Sequence, residues 1–174
     1  MIRKAVEEDA ERLAEIHISG WRHAYRGILS DDFLFGKLNV CRRAGNIRKE
    51  LAEGGGEHYV VAAGSAVAAF MVVGPSRDED KRDGGRFELW AIYVEPAMKR
   101  GGLGGELLAF CEQEAARRGM REVSLWVLER NLAGRAFYEK HGYHPDGAAK
   151  TLERLPSADG APVVEIRYVK AIGK

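Results

Sequence analysis

Apolar residues in the first third of the chain recur with the three- and four-residue spacing of amphipathic helices. This spacing covers residues 7–20 and again residues 40–51, after which Gly54 is typical of a helix end. Between the two runs, Ser30 stands ahead of two aspartates and predicts the N-cap of a further helix. The first helix is predicted to have a buried stripe made of Ala10, Leu13, Ala14, His17 and Trp21.

The middle and the end of the chain contain short runs of β-branched, aromatic and aliphatic residues separated by glycines and polar turns. Three of these runs follow one another closely and predict an antiparallel meander. The charged stretch 74–85 joins the second run to the third, and we interpret it as an exposed hairpin loop. Two more helices are predicted, over residues 106–118 and from an Asn131 cap to His141. The predicted strands are residues 2–5, 58–63, 66–73, 87–94, 122–128, 148–154 and 163–169.

Composition and charge indicate a single domain, residues 1–174, and exclude several classes of partner. With 45% hydrophobic residues the chain can bury a core, and its formal net charge of +1 gives no general attraction to nucleic acid or to an acidic membrane. Cys41 and Cys111 lack the paired spacing of a zinc or redox site, and Asp78, Asp80 and Asp83 lack that of a calcium loop. We therefore expect buried, reduced thiols, solvated aspartates and no metal. The chain has no apolar leader or spanning segment, so we expect a cytoplasmic protein.

The densest glycine cluster lies between the strand predicted at 87–94 and the helix predicted at 106–118. A glycine-rich turn that opens a helix brings backbone N–H groups and the positive end of the helix dipole to one point, where a phosphate binds well. An ordinary strand-to-helix connection is the alternative interpretation of glycines alone. The cluster consists of Lys99, Arg100, Gly101, Gly102, Leu103, Gly104 and Gly105.

Two nucleotide-binding motifs do not fit this cluster. A Walker loop needs Lys and then Ser or Thr after its last glycine, but Glu106 follows here, and the dinucleotide fingerprint needs glycine where Leu107 stands. The cluster instead resembles the acyl-coenzyme A loop of the GNAT family of N-acetyltransferases, whose pattern is Gln or Arg, two residues, Gly, one residue, then Gly or Ala. Lys99, Gly102 and Gly104 match this pattern, with Lys where the family has Gln or Arg.

The resemblance continues on both sides of the cluster in the family's order. Residues 88–96 are similar to the family's fourth strand, residues 131–143 to its later helix and the start of the next strand, and residues 21–29 to the first-helix region of many small members. Membership implies an α/β (α+β) fold with one mixed, mostly antiparallel sheet of six to seven strands. Helices flank this sheet, which is splayed between its fourth and fifth strands. Membership also implies acetyl-CoA as the co-substrate.

The resemblance assigns parts of acetyl-CoA to particular residues. Backbone N–H groups of the glycine cluster hold the pyrophosphate, and the charges of Lys99 and Arg100 add to the local field. Solvated surface cations are the alternative for these two side chains. Backbone groups of Ile92 and Val94 pair with the pantetheine arm like an added strand, and an N–H near Ile92 or Tyr93 holds the oxyanion.

Tyr138 is the predicted general acid. The family's tyrosine at this position protonates the leaving thiolate, and its Asn at the position of Asn131 contacts the pantetheine arm. Arg135 shares a helix stripe with both residues, so we group it with the cofactor-binding residues. A tyrosine that packs its ring and hydrogen-bonds its hydroxyl is the alternative. Gly134 lies inside this helix at a cost of about 1 kcal/mol relative to Ala, and either close approach of the cofactor or drift accounts for it.

A neutral amine has to attack the thioester, and an alkyl ammonium with a pKa near ~10 is about 99.9% protonated at pH 7, a deficit of roughly 4 kcal/mol. Glu88 is the predicted general base, because it precedes the glycine cluster by the interval of the family's catalytic glutamate. We expect its side chain on one strand face with Trp90, Ile92 and Val94. The alternatives are an ion-paired glutamate without a catalytic role, a water chain, and the histidines His23, His58 and His144.

These inferences predict an N-acetyltransferase that moves acetyl from acetyl-CoA to the primary amine of a small molecule, by direct attack in a ternary complex. Trp21 and Tyr25, with His23 and Arg26, form an aromatic cluster that we interpret as acceptor-binding together with Glu88; a packed first helix is the alternative. Two other functions stay open, a protein acetyltransferase acting on Lys or a chain N-terminus, and a non-catalytic acyl-CoA-binding module. The prediction allows a homodimer.

Overall fold

The chain folds around one seven-stranded sheet in a computed structural model that describes residues 1–64, 66–81 and 85–173. The strands are β1 (Ile2–Lys4), β2 (Glu57–Ala63), β3 (Ala66–Pro75), β4 (Arg86–Val94), β5 (Glu122–Leu128), β6 (His144–Thr151) and β7 (Val164–Ala171), and the longer helices are α1 (Ala10–Ala24), α2 (Val40–Glu53), α3 (Leu103–Arg117) and α4 (Leu132–Lys140). The strand order is β1-β2-β3-β4-β5-β7-β6, and only β4 with β5 is parallel. The predicted mixed, mostly antiparallel sheet is therefore confirmed.

Helices cover both faces of the sheet. On one side, which we call the α3 face, α3 and α4 pack on a cluster that includes Phe87, Leu125 and Tyr168. On the other side, the α1 face, α1 and α2 pack on a cluster that includes Phe70 and Val72. The predicted stripe of the first helix is confirmed at Ala10, Leu13 and Ala14, which are buried, and Leu107, Cys111 and Ala115 of α3 are buried as well. Cys41 of α2 is exposed, so the expectation of a buried thiol is wrong there. Within the described residues, no helix combines the length and apolar character needed to cross a membrane.

Several element boundaries differ from the predicted ones. Helix α3 begins at Leu103, three residues early, because its two following glycines adopt helical geometry. Strand β6 covers residues 144–151 instead of 148–154, and a register shift between Pro145 and Ala149 admits these turn-like residues. Such an irregularity is tolerated because β6 is the edge strand. The predicted Ser30 cap is confirmed, with its Oγ accepting the Phe33 N–H at 3.3 Å, and the helical turn over 32–37 is a π-helix.

A bulge in β4 changes which residues share a face. Val72 of β3 pairs with Ala91 and Val73 pairs with Leu89, so Trp90 is the extra residue on β4. The alternation of faces therefore slips by one position at Trp90. Leu89 and Ile92 both contact the α3-face cluster, whereas Ala91 and Tyr93 contact the α1-face cluster. The predicted grouping of Glu88 with Trp90, Ile92 and Val94 on one face is wrong, because strict alternation does not hold across the bulge.

Strands β4 and β5 diverge soon after they pair. Their parallel register runs over four positions, from Arg86 opposite Glu122 to Leu89 opposite Leu125. Beyond Leu89, β4 stays paired with β3 on its other side, while β5 stays paired with β7. One backbone edge of residues 90–94 therefore has no strand beside it, and this gap, which we call the splay, confirms the predicted opening between the fourth and fifth strands.

Candidate active site

The turn that opens α3 presents backbone donors at one end of the splay. The first intrahelical hydrogen bond joins Glu106 N–H to the Gly102 carbonyl at 3.0 Å, so the N–H groups of residues 102–105 have no acceptor within the helix. Gly102 has a φ of 85° and Arg100 a φ of 67°, which is unusual for a residue with a side chain and indicates a constrained turn. A Cβ on Gly102 would meet nothing within 4 Å, so open space lies beside these donors. Free N–H groups at a positive helix end next to open space fit the pyrophosphate of acetyl-CoA.

Two glycines of the cluster serve the packing of α3 against α4. A Cβ on Gly104 would lie 3.3 Å from Cζ of Phe137, and one on Gly105 would lie 3.1 Å from Nε2 of His141. Both contacts are closer than most Cβ atoms make, so glycine lets α4 approach the first turn of α3. Glycine at positions 104 and 105 therefore allows the close packing of α3 against α4, in addition to presenting backbone N–H groups.

Asn131 caps α4 and explains the glycine inside that helix. Its side-chain oxygen accepts the Gly134 N–H at 3.1 Å, as an N-cap residue does. A Cβ on Gly134 would lie 2.5 Å from Nδ2 of Asn131, which would displace the cap. Cap packing is thus the physical reason for Gly134, and neither cofactor approach nor drift is needed to account for it.

The Arg135 side chain is held by hydrogen bonds to other groups of the protein. Its Nε donates to the Tyr168 hydroxyl at 3.1 Å, and its Nη1 donates to the Glu129 carbonyl at 3.1 Å. The Tyr168 hydroxyl in turn donates to Glu139 at 2.6 Å. This network fixes α4 against β7, and it leaves the outer part of the Arg135 guanidinium as the portion available to a ligand.

Tyr138 lies on α4, the helix that directly follows β5, one of the two strands of the splay. Its ring packs against Phe137, Tyr143 and Tyr168 on the α3 face, at centroid distances of 5.2, 6.1 and 6.4 Å. Burial raises the pKa of Tyr138, and electrostatic interactions with Tyr93 and Cys111 raise the pKa further. The phenol stays protonated at neutral pH, as a general acid requires.

The predicted cofactor contacts on β4 are divided by the bulge. Ile92 and Val94 direct their side chains into the α3-face core, which leaves their backbone for a ligand in the splay. Tyr93 points to the α1 face, where its hydroxyl accepts the Trp21 indole N–H at 2.9 Å and its ring lies 4.8 Å from that of His17. Burial raises the pKa of Tyr93.

The Glu88 carboxylate is paired with Arg77, a residue that the sequence analysis did not identify as functional. It is 1% exposed, and its carboxylate accepts the Arg77 backbone N–H at 2.7 Å and the Arg77 guanidinium at 3.0 and 2.5 Å. The guanidinium also lies 4.7 Å from the Trp90 ring. Glu88 is therefore an ion-paired strand glutamate in this structure. No local signal could have identified Arg77, because the contact exists only when the connection between β3 and β4 folds back onto the sheet.

The same connection contacts β7 more closely than predicted. Much of its described part is exposed, as predicted for a hairpin loop, but Asp78 and Asp80 bind the buried Arg167 of β7 at 3.2 and 2.7 Å. Asp78 also accepts the Trp126 indole N–H at 3.1 Å. The expectation of solvated aspartates is thus wrong for Asp78, whose side chain is 15% exposed, and holds for Asp80, whose side chain is 60% exposed. Asp83 lies outside the described residues.

The predicted acceptor residues meet on the α1 face beside the splay. The rings of Trp21 and Tyr25 contact edge to face at 5.1 Å and pack on a small third cluster that includes Leu128. Burial raises the pKa of Tyr25, and Tyr93, Tyr138 and Glu165 raise it further. Tyr25 is therefore packed, as the alternative of a packed first helix predicts, and its role in binding an acceptor stays a prediction.

The other members of the aromatic cluster and the alternative bases lie elsewhere. His23 and Arg26 are exposed, as is His144 on the edge strand β6. His58 is buried on β2 and lies 3.4 Å from Glu50 of α2, with β3 between it and β4. The geometry gives none of the three histidines a position beside Tyr138.

Comparisons with known proteins agree with this geometry. Residues 6–143 match the family model described as the acetyltransferase (GNAT) family. A Mycobacterium tuberculosis protein described as an N-acetyltransferase is 28% identical over 169 residues, covering 96% of this chain and 91% of that protein. The spermidine N(1)-acetyltransferase of Thermoplasma acidophilum is 27% identical over 142 residues, with 82% of this chain and 86% of that protein covered. The crystal structure of PaiA N-acetyltransferase from the same organism, in complex with coenzyme A, has a TM-score of 0.75 at 22% identity and covers 98% of both chains.

The chain belongs to the GNAT acetyltransferase family, because the family model covers most of its length. It is an acetyl-CoA-dependent N-acetyltransferase.

Proposed function

We propose that this enzyme transfers the acetyl group of acetyl-CoA to the primary amine of a small molecule, by direct attack within a ternary complex. The observation that carries the proposal is that free N–H groups open α3 beside the splay, where the edge of β4 after Leu89 has no partner strand among the described residues. The predicted general acid, Tyr138, lies on α4, which follows the other strand of the splay. The relative named as a spermidine N(1)-acetyltransferase supports a small-molecule amine as the acceptor.

Acetyl-CoA supplies the activated acyl group, and the chain's own residues bind it and move a proton. The donors at the start of α3 hold the pyrophosphate, and the open edge of β4 pairs with the amide-bearing arm. The amine nitrogen then bonds to the acetyl carbon while the carbon–sulfur bond breaks. Tyr138 gives its proton to the leaving sulfur and regains one from the new cationic nitrogen, so that protons balance and no charged phenolate persists.

We assign the earlier loss of the ammonium proton to water and not to Glu88 directly. The Arg77 guanidinium and backbone N–H bind both oxygens of the Glu88 carboxylate, and Arg77 stacks on Trp90. Glu88 would have to release this partner to accept a proton. We therefore give Glu88 the role of anchoring the β3–β4 connection over the α1 face, which forms one wall of the acceptor side.

This assignment predicts the behaviour of two substitutions. Glu88→Gln and Arg77→Met are expected to lower kcat/KM by similar factors of less than about tenfold, because both break the same anchor and neither removes a group that transfers a proton. The measurement is kcat/KM against pH for each variant, with a thermal melt to correct for lost stability. A loss above about a hundredfold in Glu88→Gln alone, with disappearance of the acidic limb of the profile, would instead make Glu88 the base.

The proposed function is tested by a panel of amines assayed for release of free thiol from acetyl-CoA, with calorimetry of acetyl-CoA binding alongside. We expect binding without any amine and thiol release with small primary amines, faster at higher pH as more of the amine is neutral. Thiol release with peptide lysines or chain N-termini alone would replace the small-molecule acceptor by a protein. Binding with no thiol release from any amine would indicate a non-catalytic module.

A further inference from the structure

Glu165 is a carboxylate on the acceptor side that the reaction described above does not use. It lies on β7 between Leu128 of β5 and Lys150 of β6 in the strand register. Its neighbours Ile166 and Tyr168 belong to the α3-face cluster or contact it, so Glu165 and Arg167 point to the α1 face. The Glu165 side chain is 22% exposed, which leaves it accessible from the side where the aromatic residues meet.

The surroundings of Glu165 are those of the proposed acceptor site. Leu128, its partner on β5, belongs to the cluster on which Trp21 and Tyr25 pack. The charge of Glu165 contributes to the raised pKa of Tyr25, after burial, Tyr93 and Tyr138. The charge of Glu165 also raises the pKa of Tyr93, by less than burial does. Because Trp21 and Tyr25 pack on the cluster that contains Leu128, the strand partner of Glu165, this carboxylate lies next to the aromatic residues.

The chain itself shows that Glu165 holds an ammonium group. Lys150 Nζ lies 3.4 Å from the Glu165 carboxylate and 3.9 Å from the centre of the Trp126 ring. A carboxylate and an indole face are the two groups that bind an alkyl ammonium well. Lys150 is 44% exposed, and an ion pair of this exposure is weak, so another ammonium can replace it at little cost.

We propose that Glu165 selects acceptor amines that carry a second positive charge, by pairing with the distal ammonium of a diamine or polyamine while the reacting amine lies at Tyr138. The proposal rests on the proposed function, since it names the substrate class of that site. Glu165 acts in recognition, because it touches the non-reacting end of the acceptor.

The experiment compares 1,4-diaminobutane with butylamine, which has the same carbon chain and only one amine. Wild-type enzyme is expected to prefer the diamine in kcat/KM, and Glu165→Gln is expected to reduce that preference by about tenfold through a higher KM for the diamine. The kcat/KM for butylamine should change by less than about twofold, since no contact to it is lost. Glu165→Asp is expected to retain part of the preference, because it keeps the charge.

Glu153→Gln is the matched control, since Glu153 is an exposed glutamate in the connection between β6 and β7 and its replacement changes the net charge equally. Thermal melting and the Kd for acetyl-CoA show whether each variant is folded and binds. The proposal is overturned if Glu165→Gln leaves the diamine preference unchanged or if wild-type enzyme has no such preference. It is also overturned if both amines lose kcat together, as removal of a base would cause. Failure of the proposed function is a separate result, in which wild-type enzyme releases thiol with neither amine.

Discussion

Replacing Gly102 by Glu is expected to abolish detectable binding of acetyl-CoA, with a rise in Kd of more than about a hundredfold, because the change acts on the anion site in three ways. Gly102 has a φ of 85°, where a residue with a side chain costs roughly 1–2 kcal/mol. The new side chain enters the open space beside the free N–H groups. Its negative charge also competes with the pyrophosphate for the positive end of α3.

The measurement is calorimetric titration with acetyl-CoA, and the matched control is Gly119→Glu. Gly119 follows the other end of α3 with a φ of 70° and, like Gly102, has nothing within 4 Å of an added Cβ. Both variants therefore bear a similar backbone penalty and the same added charge. We expect Gly119→Glu to lose stability and to keep the wild-type Kd. Wild-type affinity in Gly102→Glu, or equal losses in both variants, would show that the start of α3 does not bind the pyrophosphate.

The sequence predicts features that depend on near neighbours in the chain. The Ser30 and Asn131 caps each bind an N–H three residues later, at 3.3 and 3.1 Å, so both ends of the contact lie within one turn. The apolar stripe of α1 follows from the period of the helix alone. The glycine cluster is likewise a local signal, and its position before α3 is the part of the candidate site that sequence reasoning located best.

Features that depend on strand register or on loop folding could not be predicted in the same way. The bulge at Trp90 exists only in the pairing of β4 with β3, and it moves Glu88 away from the face of Ile92. Arg77 meets Glu88 from eleven positions away, through a charged segment whose composition is typical of a solvated loop. Glu165 joins the acceptor side because β7 is inserted between β5 and β6, an order that no neighbouring residue specifies.

Replacing Tyr138 by Phe is expected to lower kcat by at least about a hundredfold while the Kd for acetyl-CoA changes by less than about twofold. The ring contacts to Phe137, Tyr143 and Tyr168 survive in the variant, so packing around the splay is retained. Only the hydroxyl is lost, and with it the proton for the leaving sulfur. Because the departing thiolate then needs a proton from water, the step that breaks the carbon–sulfur bond is slowed while binding is not.

Tyr143→Phe is the matched control for this change, since it removes a second buried phenolic hydroxyl from the same face, with ring centroids 6.1 Å apart. Its turnover is expected to stay within about twofold of the wild-type value, because we assign the proton transfer to Tyr138 alone. Steady-state kcat, calorimetric Kd and melting temperature are compared for the two variants. Equal loss of turnover in both, or weaker acetyl-CoA binding in Tyr138→Phe without a change in kcat, would assign Tyr138 a packing or binding role. The contrast between the two phenols therefore separates proton donation from the burial that they share.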